Sequence, residues 1–246
     1  MSDFIFFTQG HSPAVEYASR FLRQAGYPVT EQPANDVTHL LLPVPSFTAE
    51  GTLAGGGDLQ ELLSGLPQDL VVVGGNLNRQ ELEGYTTLDL LQDPDYLAQN
   101  ANITAHCAIR LAMNQLPCTL HRTPVLVIGW GRIGKVLCKL LDGLGARVCV
   151  CARNPADRAL AQALGYHTTD IPQAELGRYR VVFNTVPAKV FPRTPQNVLK
   201  IDLASRPGLG GADVIHARGL PGKDAPESAG ALIAETLLRI LRKETI

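Results

Sequence analysis

The stretch Pro124–Arg153, PVLVIGWGRIGKVLCKLLDGLGARVCVCAR, decides how the chain reads. Val125–Ile128 is a short, unbroken apolar run, the pattern of a strand covered on both faces of a parallel sheet. Gly129, Gly131 and Gly134 follow it at G-x-G-x-x-G spacing. In such a turn the first glycine permits a tight bend, the second lets the backbone approach a pyrophosphate, and the third lets a helix pack closely on the strand. Ile133, Val136, Leu137, Leu140, Leu141 and Leu144 recur at helical spacing, Gly145 suits the C′ position, and Arg147–Cys151 reads as the next strand. Strand, glycine turn, helix and strand together predict a dinucleotide site, where phosphates meet the unpaired N–H groups and the positive dipole end of the helix. Arg132 and Ile133 lie inside the turn; Arg132 is either a phosphate ligand or an exposed residue at the helix start.

The end of the second strand bears on which dinucleotide is bound. An NAD site places Asp or Glu there, about twenty residues after the first glycine, to hold the ribose 2′-hydroxyl. Cys151, Ala152, Arg153 and Asn154 occupy that region instead, and the first acid beyond is Asp157. A planar, permanently charged guanidinium suits a 2′-phosphate, so Arg153 favours NADP. The plainer alternative is a solvated arginine before a helix.

Composition bounds the remaining classes. The chain has 246 residues, 45% of them apolar, enough for one large core or two modest ones. With 22 basic and 23 acidic residues and no basic run, nothing points to a nucleic-acid or polybasic membrane surface. No apolar segment reaches the roughly 18–20 residues of a membrane span, and Met1–Gly10 lacks the basic-then-apolar order of a signal peptide, so a cytoplasmic location is expected. Cys107, Cys118, Cys138, Cys149 and Cys151 show neither C-x-x-C pairing nor zinc-like spacing and read as reduced thiols. Cys149 and Cys151 alternate along a strand as small buried hydrophobes.

The expected fold is α/β in two domains, a Rossmann-type doubly wound parallel sheet and a smaller N-terminal α/β domain. Residues 1–100 form the N-terminal domain, 101–225 the NADP-binding domain, and 226–246 a helix returning to the N-terminal domain across a crevice. Phe4–Thr8, His39–Leu42 and Leu70–Val73 read as strands of the first domain. Helices are expected from Ser12–Pro13, an N-cap and a first-turn proline, to Gly26, and around Leu59–Leu63; Gly55–Gly57 reads as a loop. Over Ile103–Leu116, the residues Ala105, Ala108, Ile109, Ala112, Met113 and Leu116 form an apolar stripe, with His106, Arg110 and Asn114 opposite. Asn154–Pro155 starts a later helix, Val181–Asn184 and Val198–Leu203 are strands, and Pro226–Lys243 is an amphipathic helix with Ala229, Ile233, Leu237, Ile240 and Leu241 on one face.

Ligands of parallel sheets gather at the carboxyl ends of strands. Three specific loops lie there: Asn184–Ala188 (NTVPA), Asp202–Gly208 (DLASRPG) and Gly219–Gly222 (GLPG). With NANITA at Asn100–Ala105, GWGRIG at Gly129–Gly134, AR at Ala152–Arg153 and AP-x-x-AG at Ala225–Gly230, this ordered set resembles the family of the A-type subunit of dipicolinate synthase. The motifs run from Asn100 to the C-terminus, about three-fifths of the chain, and the N-terminal part looks short for the family. The resemblance implies an NADP-linked oxidation of a dihydrodipicolinate-type intermediate to pyridine-2,6-dicarboxylate, a metabolite of sporulation. It also implies a separate partner chain, the flavoprotein-like B-type subunit; in addition, a homo-oligomer is expected. Two departures stand out. Thr104-Ala105-His106-Cys107 replaces the family's Thr-Ala-Glu-Gly, putting an imidazole where a carboxylate is usual. Leu209 interrupts the family's glycine pair, and the segment up to Gly219 is shortened.

Aromatising the ring removes a hydride and a proton, so a base is needed, and a dicarboxylate needs cationic seats. His106 is a candidate base, its ordinary pKa being near neutrality; the simpler reading is a surface or packed histidine. Arg206 is a candidate carboxylate anchor because its fork binds bidentately; the alternative is an ion pair within its loop. Asn184, Thr185, Val186 and Pro187 are expected on the nicotinamide side, or else form a tight turn. Thr104, Ser205, Arg206 and Lys223 are the expected substrate contacts, Lys223 being otherwise a solvated charge. Two further functions fit the same residues: an NADP-linked dehydrogenase of another small carboxylate, and a noncatalytic NADP-binding sensor or assembly component.

Overall fold

The structure is a computed structural model that describes residues 4–9, 12–48 and 50–244; Met1–Asp3 and Gly10 of the Met1–Gly10 segment fall outside them. The chain divides into two compact units, one of residues Met1–Asn100 and Pro221–Ile246 and one of Ala101–Leu220. The division at Asn100–Ala101 falls inside a single helix, α3 (Pro94–Gln115), the last element that the first unit starts before the second begins.

The first unit opens with β1 (Phe6–Thr8), α1 (Pro13–Gln24), β2 (Val29–Thr30), β3 (His39–Leu41), α2 (Leu59–Ser64), β4 (Val71–Gly74) and β5 (Thr86–Asp89). Its strands form one parallel sheet in the order β2-β1-β3-β4-β5. The three inner strands are the apolar runs, and Phe7, Leu40, Leu42, Leu63, Leu70 and Val72 build the core on one face. Ser12 occupies the N-cap position of α1, but contrary to expectation its hydroxyl makes no capping bond, leaving Pro13 to set the helix start. Asp58 does cap α2, accepting from the Glu61 N–H at 2.9 Å.

The sequence-distant end of the chain completes this unit with α6 (Leu220–Asp224), whose first residue still belongs to the second unit, and α7 (Pro226–Glu244). Ala229, Ile233, Leu237 and Leu241 are buried along α7, while Ile240 is half-buried. The helix lies against α1, and a Cβ on Gly230 would fall 2.5 Å from the Ala14 carbonyl oxygen and from Tyr17 Cβ. A guanidinium on α7, that of Arg239, donates to Asp93 Oδ1 at 2.7 Å just before α3.

In the second unit β6 (Pro124–Ile128), α4 (Arg132–Gly143), β7 (Arg147–Cys151), α5 (Pro155–Ala163), β8 (His167–Thr169), β9 (Val181–Asn184), β10 (Leu199–Asp202) and β11 (Val214–His216) follow the end of α3. All pairings are parallel, in the order β11-β10-β9-β6-β7-β8. Numbered from β6, this is the doubly wound order 3-2-1-4-5-6, whose reversal point lies between β6 and β9. Val125–Ile128 are fully buried at the centre. The apolar stripe of α3 departs from expectation at Met113, which is half exposed, and at Leu116, which is only partly covered; Ala105, Ala108, Ile109 and Ala112 are buried. Cys151 is buried as expected, but Cys149 is only partly so. Among the described residues no helix is long and apolar enough to cross a membrane.

Candidate functional site at the end of the central strand

The chain leaves β6 through Gly129, whose φ of +101° only glycine adopts without strain. A Cβ there would fall 2.4 Å from Thr185 Oγ1, and one on Gly134 would fall 2.2 Å from the Gly129 carbonyl oxygen. These two glycines therefore let the turn, the start of α4 and the loop after β9 pack together. Gly131 differs. Its φ of −80° is open to any residue, and nothing stands within 4 Å of where its Cβ would be. It holds the N-cap position of α4 and so offers no side chain to the first-turn N–H groups. Arg132 is exposed and Ile133 half-buried.

Trp130, in the same turn, is a residue to which sequence reasoning gave no role. It is buried, its ring meets Tyr166 edge-on at 5.8 Å, and its indole N–H has no partner among the described residues. It ties the glycine turn to the segment that follows α5.

At the end of β7, Ala152 is buried while Arg153 and Asn154 are exposed. Asn154 caps α5 by accepting from the Ala156 N–H at 3.0 Å. Sequence reading also passed over Arg158, whose guanidinium turns back to donate to the carbonyls of Ala152 at 2.7 Å and Arg153 at 2.8 Å. Nothing in its spacing announces that contact. Burial, reinforced by nearby Cys149, pushes the neighbouring thiols Cys138 and Cys151 up to about 12, so both stay protonated at neutral pH.

The loop after β9 meets the turn from the other side, and the loop after β10 packs on that loop through Asn184. Thr185 binds the Ile128 carbonyl twice, through its backbone N–H at 2.9 Å and its hydroxyl at 2.8 Å. Asn184 is fully buried; its amide donates to the Val186 carbonyl and to Asp202 Oδ1, and its oxygen accepts from the Val186 N–H. Val186 is half-buried, and Pro187, Ser205 and Arg206 are exposed. The structure thus brings together the Gly129–Gly134 turn, Asn184–Val186 and the Asp202 loop. Thr104, buried, and His106, exposed, are carried by α3, and Lys223 is exposed on α6 in the first unit. The first unit has a cavity of its own, about 580 Å³, lined by Thr8, Gln9, Arg20, Arg23, Glu31 and Gly57 among others. None of the residues singled out from sequence as functional lines it.

No family model matches the chain. Among curated proteins it is similar to the A-type subunit of dipicolinate synthase from Bacillus subtilis, with 28% identity covering 87% of this chain and 80% of that protein. Among solved structures it superposes on the A-type subunit of dipicolinate synthase from Bacillus halodurans with a TM-score of 0.83 and 26% identity, covering 98% of each chain. A transhydrogenase from Sinorhizobium meliloti shares the fold at 16% identity, with a TM-score of 0.73 over 97% of this chain and 94% of that one. The chain has the two-unit, Rossmann-type α/β fold of these solved structures, and in sequence and structure alike it resembles the A-type subunit of dipicolinate synthase.

Proposed function

We propose that the chain is an NADP-dependent oxidoreductase that converts a dihydrodipicolinate-type intermediate to pyridine-2,6-dicarboxylate. The observation that carries this is Gly131: neither backbone strain nor a protein neighbour demands glycine there, and the open space faces a helix start with no side-chain cap. A pyrophosphate is the ligand that uses both features. NADP suits the site better than NAD because Arg153, exposed at the end of β7, stands where a carboxylate would hold a free 2′-hydroxyl. When bound, the dinucleotide supplies the hydride acceptor.

This chain's own residues then have separable tasks. The first-turn N–H groups of α4 bind pyrophosphate and Arg153 binds the 2′-phosphate, while Thr185, Val186 and Pro187 shape the nicotinamide side. Arg206 seats a ring carboxylate, with Ser205 beside it. His106, exposed on α3, accepts the ring proton. A partner chain of the B type is part of this reading, supported by the Bacillus subtilis relative being one subunit of a synthase.

The test supplies NADP and a dihydrodipicolinate-forming system, with and without a homologue of the B-type subunit, and follows NADPH absorbance and dipicolinate together. Both should rise. If NADPH binds yet no dipicolinate forms with any partner, this substrate is wrong. One observation favours a second reading, a dehydrogenase of another small carboxylate: an imidazole, His106, stands where the resembled family has a carboxylate. NADP turnover with such an acid, but not with the dihydrodipicolinate system, would select it.

A further inference from the structure

We propose that Asp202 is a positioning residue that holds Arg206 in place by bearing both feet of the arch that carries it; this rests on the reading of Arg206 as a carboxylate seat. Asp202 ends β10 with its side chain 1% exposed, so it meets no ligand itself. Its Oδ1 accepts from the Ala204 N–H at 3.1 Å and from the Asn184 amide at 2.9 Å. Its Oδ2 accepts from the N–H groups of Gly208 at 2.7 Å and Leu209 at 3.0 Å. Ala204 and Gly208 are the two feet of a short span, and Ser205, Arg206 and Pro207 are its exposed crown.

The chemistry of the four donors requires a carboxylate. An ionised carboxyl offers about four acceptor sites and no donor, which matches two feet, Leu209 and an amide. An asparagine of the same shape would turn an NH₂ against N–H donors and leave one foot unbound. The far foot is also stapled sideways: the Gly208 carbonyl accepts from Val190 at 2.9 Å and Phe191 at 3.2 Å, and the Gly210 N–H donates to the Phe191 carbonyl at 2.8 Å. Gly208 fits only because it has no side chain, since a Cβ would fall 2.5 Å from Asn184 Nδ2 and 2.6 Å from the Ala188 carbonyl oxygen. A long, exposed arginine has many rotamers, so fixing its backbone removes part of the ordering cost of gripping a carboxylate.

The experiment has a ligand-free and a ligand-binding readout. In the parent protein the amides of Ala204, Gly208 and Leu209 should exchange hydrogen at least about tenfold more slowly than those of Ser205 and Arg206. Asp202→Asn should abolish that difference while leaving Val125–Ile128 protected. For binding, dipicolinate is the probe and adenosine 2′,5′-bisphosphate, which reports on the glycine turn, is the control. Asp202→Asn and Arg206→Ala should each weaken dipicolinate binding about tenfold, and the double variant should be no weaker than Arg206→Ala alone. Affinity for the adenosine ligand should stay within about twofold. Gly208→Ala, which crowds the same foot with the carboxylate intact, should act like Asp202→Asn. Unprotected amides in the parent, additive losses in the double variant, or equal loss of the adenosine ligand would each overturn the proposal. If the parent binds no dipicolinate, the substrate reading falls, and the arch stands or falls on exchange alone.

Discussion

Both units are built on parallel sheets, yet their glycines after the strands serve opposite ends. In the first unit a Cβ on Gly74, at the end of β4, would fall 2.2 Å from Ser46 Oγ, and one on Gly75 would fall 2.8–2.9 Å from Leu91 and Val44 atoms. That turn is filled by the protein itself, with the Ser46 hydroxyl accepting from the Gly75 N–H. In the second unit Gly129 and Gly134 are filled in the same way, but Gly131 looks onto nothing. A glycine pressed by neighbours records packing. One with ordinary dihedrals and empty space at a helix start points to something that comes from outside.

The sharpest way to break that contrast is to add one methyl group at each kind of glycine. Gly134→Ala forces a Cβ into the Gly129 carbonyl, and it should cost about 1–3 kcal/mol of stability and about 100-fold in dinucleotide affinity as the turn shifts. Gly131→Ala should change stability by less than about 1 kcal/mol, the N-cap preference alone, yet still weaken NADPH about tenfold. Urea unfolding and calorimetric titration read the two effects. Equal stability losses at both positions would erase the distinction.

Acid should separate the units by another route, because the first sheet carries a buried histidine. His39, on β3 between the rings of Phe4 and Phe6, is lowered from 6.5 to about 4 by desolvation. The unfolded chain therefore binds that proton more readily. The stability at stake is present above about pH 6.5 and is lost as pH falls through 4, roughly 3 kcal/mol in all. His39→Leu should flatten unfolding stability in that window relative to the parent, as followed by urea titration at successive pH values. Parallel curves for the two proteins would contradict it.

Cofactor choice is a smaller effect and belongs to the second sheet alone. The parent should prefer NADPH to NADH, and Arg153→Asp should reverse or erase that preference by at least about tenfold, by repelling the 2′-phosphate. Equal affinities in the parent would remove the basis for NADP. Smaller still is the anchor of α7. Arg239→Ala should cost roughly 0.5–1 kcal/mol through the lost Asp93 pair, leaving dinucleotide affinity untouched.

What the sequence disclosed follows burial. Val125–Ile128, Val181–Asn184 and His39–Leu42 stand out because central parallel strands are apolar on both faces. The four strands that patterning missed, Val29–Thr30, Thr86–Asp89, His167–Thr169 and Val214–His216, are the four edges of the two sheets. They are short and mostly polar, being covered on fewer sides. The helix Leu220–Asp224 hid behind Pro221 and Gly222, which read as a turn. At the site, glycine spacing disclosed the turn, but the acceptor role of Asp202 did not show. Its four donors come from Asn184 and from backbone groups that look alike in every sequence.

The first unit is closed by a helix from the far end of the chain, and this sets an order of assembly. A ribosome releases residues 1–100 several seconds to tens of seconds before Pro226–Glu244, at ordinary rates of synthesis. During that interval the surface of α1 around Ala14, Tyr17 and Ala18, where α7 will lie, has no cover from it. Residues 101–220, continuous in the chain, have all their strands before α7 exists. The unit whose strands are made first is thus completed last, by a helix made after every strand of the other unit.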